Sequence, residues 1–196
     1  MGCRGRGARF MPGSYVFPGG RLQRCDFRAW PGEAVGPDED AKTTLRALAR
    51  AAIRETFEET GLLIGRPCGE GSPRLDRPGP ERGIETAFAA AALAPAVDTL
   101  RLIGRAITPA RSPIRFHARF FLADAEHAAG QPCSGDELED VGFYPVRDGL
   151  PSPISDVTQF MLRRAVDVCQ GTALEVTPLY TYVRYAPRVR WSRSRR

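Results

Sequence analysis

The sequence predicts a mixed α/β (α+β) sandwich, and three observations carry that prediction. Residues 41–60 contain no proline or glycine and are rich in alanine and leucine, which makes them a long helix. Two apolar, β-capable runs at 100–107 and 114–122 follow, joined by a proline-containing link, and read as paired strands. An amphipathic stretch at 154–169 then closes at Gly171. The order strand, helix, helix, strands, helix suits a mixed sandwich better than a doubly wound sheet.

Residues 1–13 are rich in glycine and arginine, have no apolar period and read as an irregular lead-in. Residues 14–17 form a short strand that Pro18-Gly19-Gly20 ends, because proline donates nothing to a ladder and paired glycines allow a tight turn. Residues 21–40 hold Trp30-Pro31-Gly32 and Gly36-Pro37 and finish in Asp38-Glu39-Asp40, so a loop runs into the acidic first turn of a helix. In that helix Gly61 stands where a left-handed cap belongs. Leu45, Ala49, Ala52, Ile53 and Thr56 share the face expected to be buried, and Glu55, Glu58 and Glu59 share an adjoining stripe. Proline, glycine and charge make 65–82 a surface loop, and 84–94 resume a helix stopped near Pro95. After the strand pair, 137–146 alternate less regularly as a third β-capable run, and no internal repeat is present.

A chain of 196 residues with 42% hydrophobic and 26% charged residues has the makings of one folded domain. The expected organisation is a lead-in at 1–13, a domain at 14–183 with an insertion at 21–40, and a basic tail at 184–196. The net charge of +5 is unevenly spread, since six arginines and no acidic residue lie from Arg184 onward and the remainder is close to neutral. A basic tail of this kind reads as a solvated end, and no specific nucleic-acid partner is expected. Five scattered cysteines without a Cys-x-x-Cys pair indicate neither a disulfide framework nor a zinc site and suit a reducing, cytoplasmic setting. The longest apolar stretch, 87–97, is too short to span a membrane.

The chemistry lies in Arg54-Glu55-Thr56-Phe57-Glu58-Glu59-Thr60-Gly61-Leu62, which places three carboxylates on one side of a helix. Solvated carboxylates with an Arg50 or Arg54 partner one turn away account for the charges singly. The whole pattern points to a hard cation, because Mg²⁺ takes oxygen ligands and is held by carboxylates together with substrate phosphates.

This stretch resembles the second half of the Nudix hydrolase box, with Thr56 where an aliphatic residue is usual. The first half departs from it: Asp40 occupies the glycine position and Arg46 the glutamate position, so Arg46 reads as an outward residue on an extended helix. Tyr15-Val16-Phe17-Pro18-Gly19-Gly20 looks like the entry to the box, displaced upstream by the insertion, with Asp26 nearby. That interruption, and Arg115-Phe116-His117-Ala118-Arg119-Phe120-Phe121, are similar to the branch that contains the peroxisomal coenzyme A diphosphatases and bacterial relatives, with His117 where that branch has aspartate. The resemblance covers 11–170.

The resemblance implies a Nudix-like α/β/α sandwich whose first strand is missing here, because 1–13 contain no apolar run to supply it. It implies Mg²⁺ or Mn²⁺ held by Glu55, Glu58 and Glu59, with Glu137 as a further ligand and a solvated carboxylate as the alternative. Glu55 is the general base or the ligand that orients it. Arg54 and Gly61 are structural, Arg54 because it projects away from the carboxylate stripe. Gly19 and Gly20 allow close backbone approach to the helix or to substrate, and Arg115 and Arg119, with Arg105, lie on β-capable runs where they could steer an anion, with salt-bridged surface arginines as the default alternative. The implied substrate is a small nucleoside-diphosphate-linked or coenzyme A-like diphosphate, cleaved at its phosphate anhydride. A homodimer is left open. A catalytically silent module of the same fold, binding a nucleotide or a protein, is the competing reading.

Overall fold

A computed structural model describes residues 1–34, 43–68, 83–112, 114–147, 149–172, 176–183 and 186–193. In chain order the elements are β1 (Gly2–Arg4), β2 (Tyr15–Val16), α1 (Thr43–Thr60), β3 (Leu63–Pro67), α2 (Gly83–Ala90), β4 (Leu93–Pro95), β5 (Arg101–Ile107), β6 (His117–Leu122), β7 (Ala128–Ala129), β8 (Leu138–Glu139), α3 (Asp156–Cys169), β9 (Val176–Val183) and β10 (Ala186–Arg193). They fall into two compact units. The first comprises Met1–Gly2, Pro18–Leu100 and Ala123–Gly142, and the second Cys3–Phe17, Arg101–Leu122 and Phe143–Arg196. No helix among the described residues is long and apolar enough to cross a membrane.

The first unit is built on α1. Strand β3 lies against this helix and pairs antiparallel with β4 (Gly65↔Pro95) and β7 (Leu63↔Ala129), giving the order β4-β3-β7. Glycine is required at 65, because a Cβ there would sit 2.9 Å from the ring of Phe88, the buried anchor of α2. Phe88 also meets the buried Trp30, with ring centroids 6.3 Å apart. Thus part of the expected insertion is core. The chain start is pinned as well: the Met1 amine donates to Gly142 O at 2.8 Å, and a Cβ on Gly2 would come within 2.9 Å of Leu138.

The second unit holds a four-stranded sheet in the order β10-β9-β5-β6. Antiparallel pairing joins β5 to β6 and β9 to β10, whereas β5 and β9 run parallel. Helix α3 packs its fully buried Met161 against Ala106 and Tyr180, with Phe17, Phe120, Phe160 and Tyr182 around them. Gly104 leaves room for that thioether, since a Cβ there would meet Met161 Sδ at 2.5 Å. Ser155 caps α3 by accepting the Thr158 N–H at 3.1 Å, and Asp156 in the first turn accepts from the hydroxyls of Tyr180 and Tyr182.

Several expectations need correction. A first strand exists: Gly2–Arg4 is extended, though only 3 residues long, so the absence of an apolar run did not mean the absence of a strand. The second helix ends at Ala90, and Leu93–Pro95 pairs with β3 instead of prolonging it. The loop expected from residue 65 begins later, after β3, and its section 69–82 lies outside the described residues. Only Leu138–Glu139 of the run at 137–146 is strand. The expected tail is largely β10, which eight register pairs join to β9. On α1 the expected face is buried at Ala49 and Ile53, but Leu45 is exposed, and Arg50 and Arg54 are buried as well because salt bridges cover a second face of the helix.

Deleting residues 184–196 should therefore destabilise the second unit, stripping a paired strand from β9 and uncovering the core side of Val189. A fall in melting temperature on the order of 5 °C or more is expected by calorimetry. An unchanged melting temperature would return the segment to a dispensable tail.

Candidate active site

Helix α1 carries arginines at 46, 50 and 54, four residues apart and hence along one stripe, and each finds an acidic partner in residues 24–34. Glu33, whose side chain is fully buried, accepts from Arg50 Nε at 2.7 Å, Arg50 Nη2 at 2.9 Å, Arg46 Nη2 at 2.5 Å and the Trp30 N–H at 3.1 Å. Burial alone would raise the Glu33 pKa, but the bonds from Arg50 and Arg46 outweigh it and hold the carboxyl below its ordinary value. Arg46 is therefore not an outward residue; it is a salt-bridge partner in the position where the box has glutamate.

Arg54 is the hub. Its Nε and Nη2 grip the two oxygens of the fully buried Asp26 at 3.1 and 3.0 Å, and Nη2 also donates to Arg21 O at 2.8 Å. Nη1 donates at 2.8 Å to both Glu55 Oε1 and Glu58 Oε2. Its five donor bonds match the five N–H groups of a guanidinium. Burial would lower the Arg54 pKa, but Asp26 and Glu55 more than reverse this and fix its charge. Arg54 does not project away from the carboxylate stripe as expected, since it points toward Glu55 and Glu58. Sequence alone assigns Asp26 no evident task and does not mark Glu33 at all, and it offers Arg50 as a partner for the helix carboxylates, whereas Arg50 pairs with Glu33. The arginine spacing carries part of the signal, because three cations on one stripe, two of them buried, call for acidic partners.

The Pro-Gly-Gly turn meets the same helix. Gly19 N–H donates to Oε2 of the buried Glu59 at 3.0 Å, and a Cβ on Gly20 would lie 2.4 Å from the Glu55 carboxylate. Backbone thus reaches the carboxylates where side chains would not fit. Glu58 stays half exposed, and Glu137, exposed just ahead of β8, is close enough for its charge to act on Glu55. Burial raises the Glu55 pKa, the Arg54 bond opposes this, and the charges of Glu58 and Glu137 add to it. Thr56, in the usually aliphatic place, turns its hydroxyl inward to Ala52 O at 2.7 Å.

Gly61 ends the helix with a φ of +74°, its N–H donating to Phe57 O at 2.8 Å. A side chain there would be strained and would also strike Cys133 Sγ at 2.7 Å. The first unit therefore brings together Gly19, Gly20, Arg54, Glu55, Glu58, Glu59, Gly61 and Glu137. Arg115, exposed before β6, and Arg119, on β6, belong to the second unit. Among the described residues no three carboxylate, imidazole or thiolate groups close around one point as they stand.

Two expectations follow from this geometry. Gly20→Ala should displace the Glu55 carboxylate and lower any turnover that depends on it by at least tenfold while secondary structure, read by circular dichroism, is kept. Full activity would place the functional carboxylate elsewhere. For acid stability, a depressed carboxyl pKa contributes fully above the ordinary value of 4.5 and loses that contribution as pH falls through the folded-state value. Glu33→Gln should thus be less stable than the parent at pH 7 by thermal melting, with the gap narrowing below about pH 4.5. Parallel melting profiles down to pH 3 would show that Glu33 is not the titrating partner.

No protein-family model matches the chain. Among solved structures it is similar to the NUDIX hydrolase from Alicyclobacillus acidocaldarius, at 29% sequence identity and a TM-score of 0.60, over 87% of this chain and 86% of that one. With the carboxylate helix, its glycine cap and the Pro-Gly-Gly turn in place, that likeness makes the fold the α/β sandwich of a Nudix hydrolase.

Proposed function

We propose that the chain is a Nudix hydrolase that uses Mg²⁺ or Mn²⁺ to split the phosphate anhydride bond of a nucleoside-diphosphate-linked or coenzyme A-like substrate. The observation that carries this reading is the convergence of Glu55 and Glu58 on one positive group, Arg54 Nη1, 2.8 Å from an oxygen of each. Two carboxylates already sharing a cation, with the charge of Glu137 reaching Glu55 and with Glu59 one residue beyond Glu58, offer oxygen donors of the kind that Mg²⁺ or Mn²⁺ prefers. Glu55, Glu58 and Glu59 would hold the ion, with Glu137 as a further ligand. When bound, the ion would polarise the phosphoryl oxygen and lower the pKa of attacking water.

The protein's own groups account for the remainder. Glu55, with its pKa already raised by burial, takes the proton from water as general base. Gly20 and Arg54 restrain its carboxylate from two sides, and the Gly19 N–H restrains Glu59. Such restraint matters because small misplacements of reacting groups are costly in rate. The interrupted box, with Phe17-Pro18-Gly19-Gly20 ahead of the insertion, favours the branch of the coenzyme A diphosphatases, and five free cysteines suit a cytoplasmic setting. The silent-module reading keeps one support, Arg46 in the glutamate position, where it pairs with Glu33, while a short first strand is present against the other.

A phosphate-release screen over nucleotide sugars, dinucleoside polyphosphates, NADH and coenzyme A species with Mg²⁺ and Mn²⁺ tests the proposal. Glu58→Gln and Glu59→Gln should remove most metal-dependent turnover with the fold retained, and Glu55→Gln should cost on the order of 100- to 10,000-fold. Wild-type rates in all three at saturating Mg²⁺ would rule the site out.

A further inference from the structure

The segment after the Pro-Gly-Gly turn carries exposed arginines at 21, 24 and 28 around a single acid, Asp26, which is fully buried and committed to Arg54. Arg28 meets Glu85 at 3.4 Å, whereas Arg21 and Arg24 form no salt bridge among the described residues. Arg24–Phe27 is a 3₁₀ turn held from several sides. Gln23 N–H donates to Asp26 Oδ2 at 2.7 Å and Asp26 N–H to Gln23 O at 3.1 Å. Trp30 Nε1 donates to Cys25 O at 3.2 Å and Arg50 Nη1 to Asp26 O at 3.0 Å. Side chains three residues apart eclipse each other in such a turn, so Arg24 and Phe27 project on the same side. The Phe27 ring is 53% exposed there, although Asp26 and Trp30 beside it are buried.

The turn stands next to the carboxylates. A Cβ on Gly20 would lie 2.4 Å from the Glu55 carboxylate, and consecutive Cα atoms are about 3.8 Å apart, so Arg21 begins within about 8 Å of that carboxylate. The Arg21 carbonyl, Asp26, Glu55 and Glu58 all share the Arg54 guanidinium. A single exposed phenyl ring is ordinary on a protein surface. Here the ring shares one side of a pinned turn with a cation, and a second exposed arginine lies between that turn and the carboxylates. Aromatic faces stack on bases, and guanidiniums form charge-assisted bonds to phosphate. Backbone already held in place loses little freedom when a ligand docks on it.

We propose that Arg24 and Phe27 form a subsite for a phosphorylated nucleoside, with the base on the Phe27 ring and a ribose phosphate on Arg24. Arg21 continues the positive charge from there toward the carboxylates. The substrate class narrows to nucleotides that carry a phosphate besides the scissile diphosphate. That this nucleoside belongs to a substrate rests on the hydrolase reading; that the turn binds it does not.

Calorimetric titration of the full chain in EDTA with adenosine 3′,5′-bisphosphate and with AMP separates the two. The wild type should prefer the bisphosphate by about tenfold. Arg24→Gln should remove most of that preference with little change for AMP, and Arg24→Lys should recover part of it. Phe27→Ala should weaken both ligands by at least about fivefold. Both side chains are exposed, so the variants should melt with the wild type, and Arg188→Gln, an exposed arginine of the second unit, should bind as the wild type does. Glu58→Gln should also bind both ligands normally, so failure of the hydrolase reading leaves this result intact. In turnover, coenzyme A should be preferred over its form lacking the ribose phosphate, and Arg24→Gln should erase the difference. Absence of binding to the wild type, equal affinity for the two ligands, an unchanged preference in Arg24→Gln, or tighter binding of inorganic pyrophosphate or of a short single-stranded oligonucleotide than of the bisphosphate would each overturn the subsite.

Discussion

The grip of Arg54 on Asp26 is the interaction on which the first unit depends. A fully buried carboxylate and a buried guanidinium are each costly to take out of water, and removing one partner of such a pair costs about 3–5 kcal/mol because the other is left uncompensated. Here the cost is met by satisfying every donor. The fork spans residues 28 positions apart, so it ties the segment after the Pro-Gly-Gly turn to the middle of α1. The same guanidinium then supports Glu55 and Glu58. One buried side chain thus links the core to the carboxylates.

A second acid, Glu33, repeats the arrangement one and two turns earlier on the helix, serving Arg50 and Arg46. The helix is consequently covered on a charged face as well as on the apolar side that holds Ala49 and Ile53. The charged cover adds to the hydrophobic stripe that ordinarily chooses the buried side of an amphipathic helix. It also makes residues 21–34 a packed partner of the helix, with Asp26, Trp30 and Glu33 all buried.

Much of the carboxylate helix was legible in the sequence, because helix spacing places Glu55, Glu58 and Glu59 and because glycine at 61 is dictated by a local φ. Asp26 and Glu33 were not, since a pairing across 17 or 28 residues leaves no periodic trace on the loop side. Strand β9 was hidden by Pro178 and β10 by its arginines, although Tyr180, Tyr182, Val189 and Trp191 alternate as strand residues should. β1 escaped because a strand this short carries no pattern; Gly2 is selected by the close approach of Leu138, a tertiary fact.

Strand β10 forms one edge of its sheet, and an edge is an open template for another chain's backbone. Its composition discourages such growth. Pro187 supplies no N–H, and Arg188 and Arg190 confront any second copy of the strand with their own charge. The edge resists fibril-like stacking of sheets between molecules, a hazard that the exposed Trp191 and Val183 beside it would otherwise increase. The arginines that make the end of the chain look like a solvated appendage are, on a folded strand, gatekeepers against aggregation.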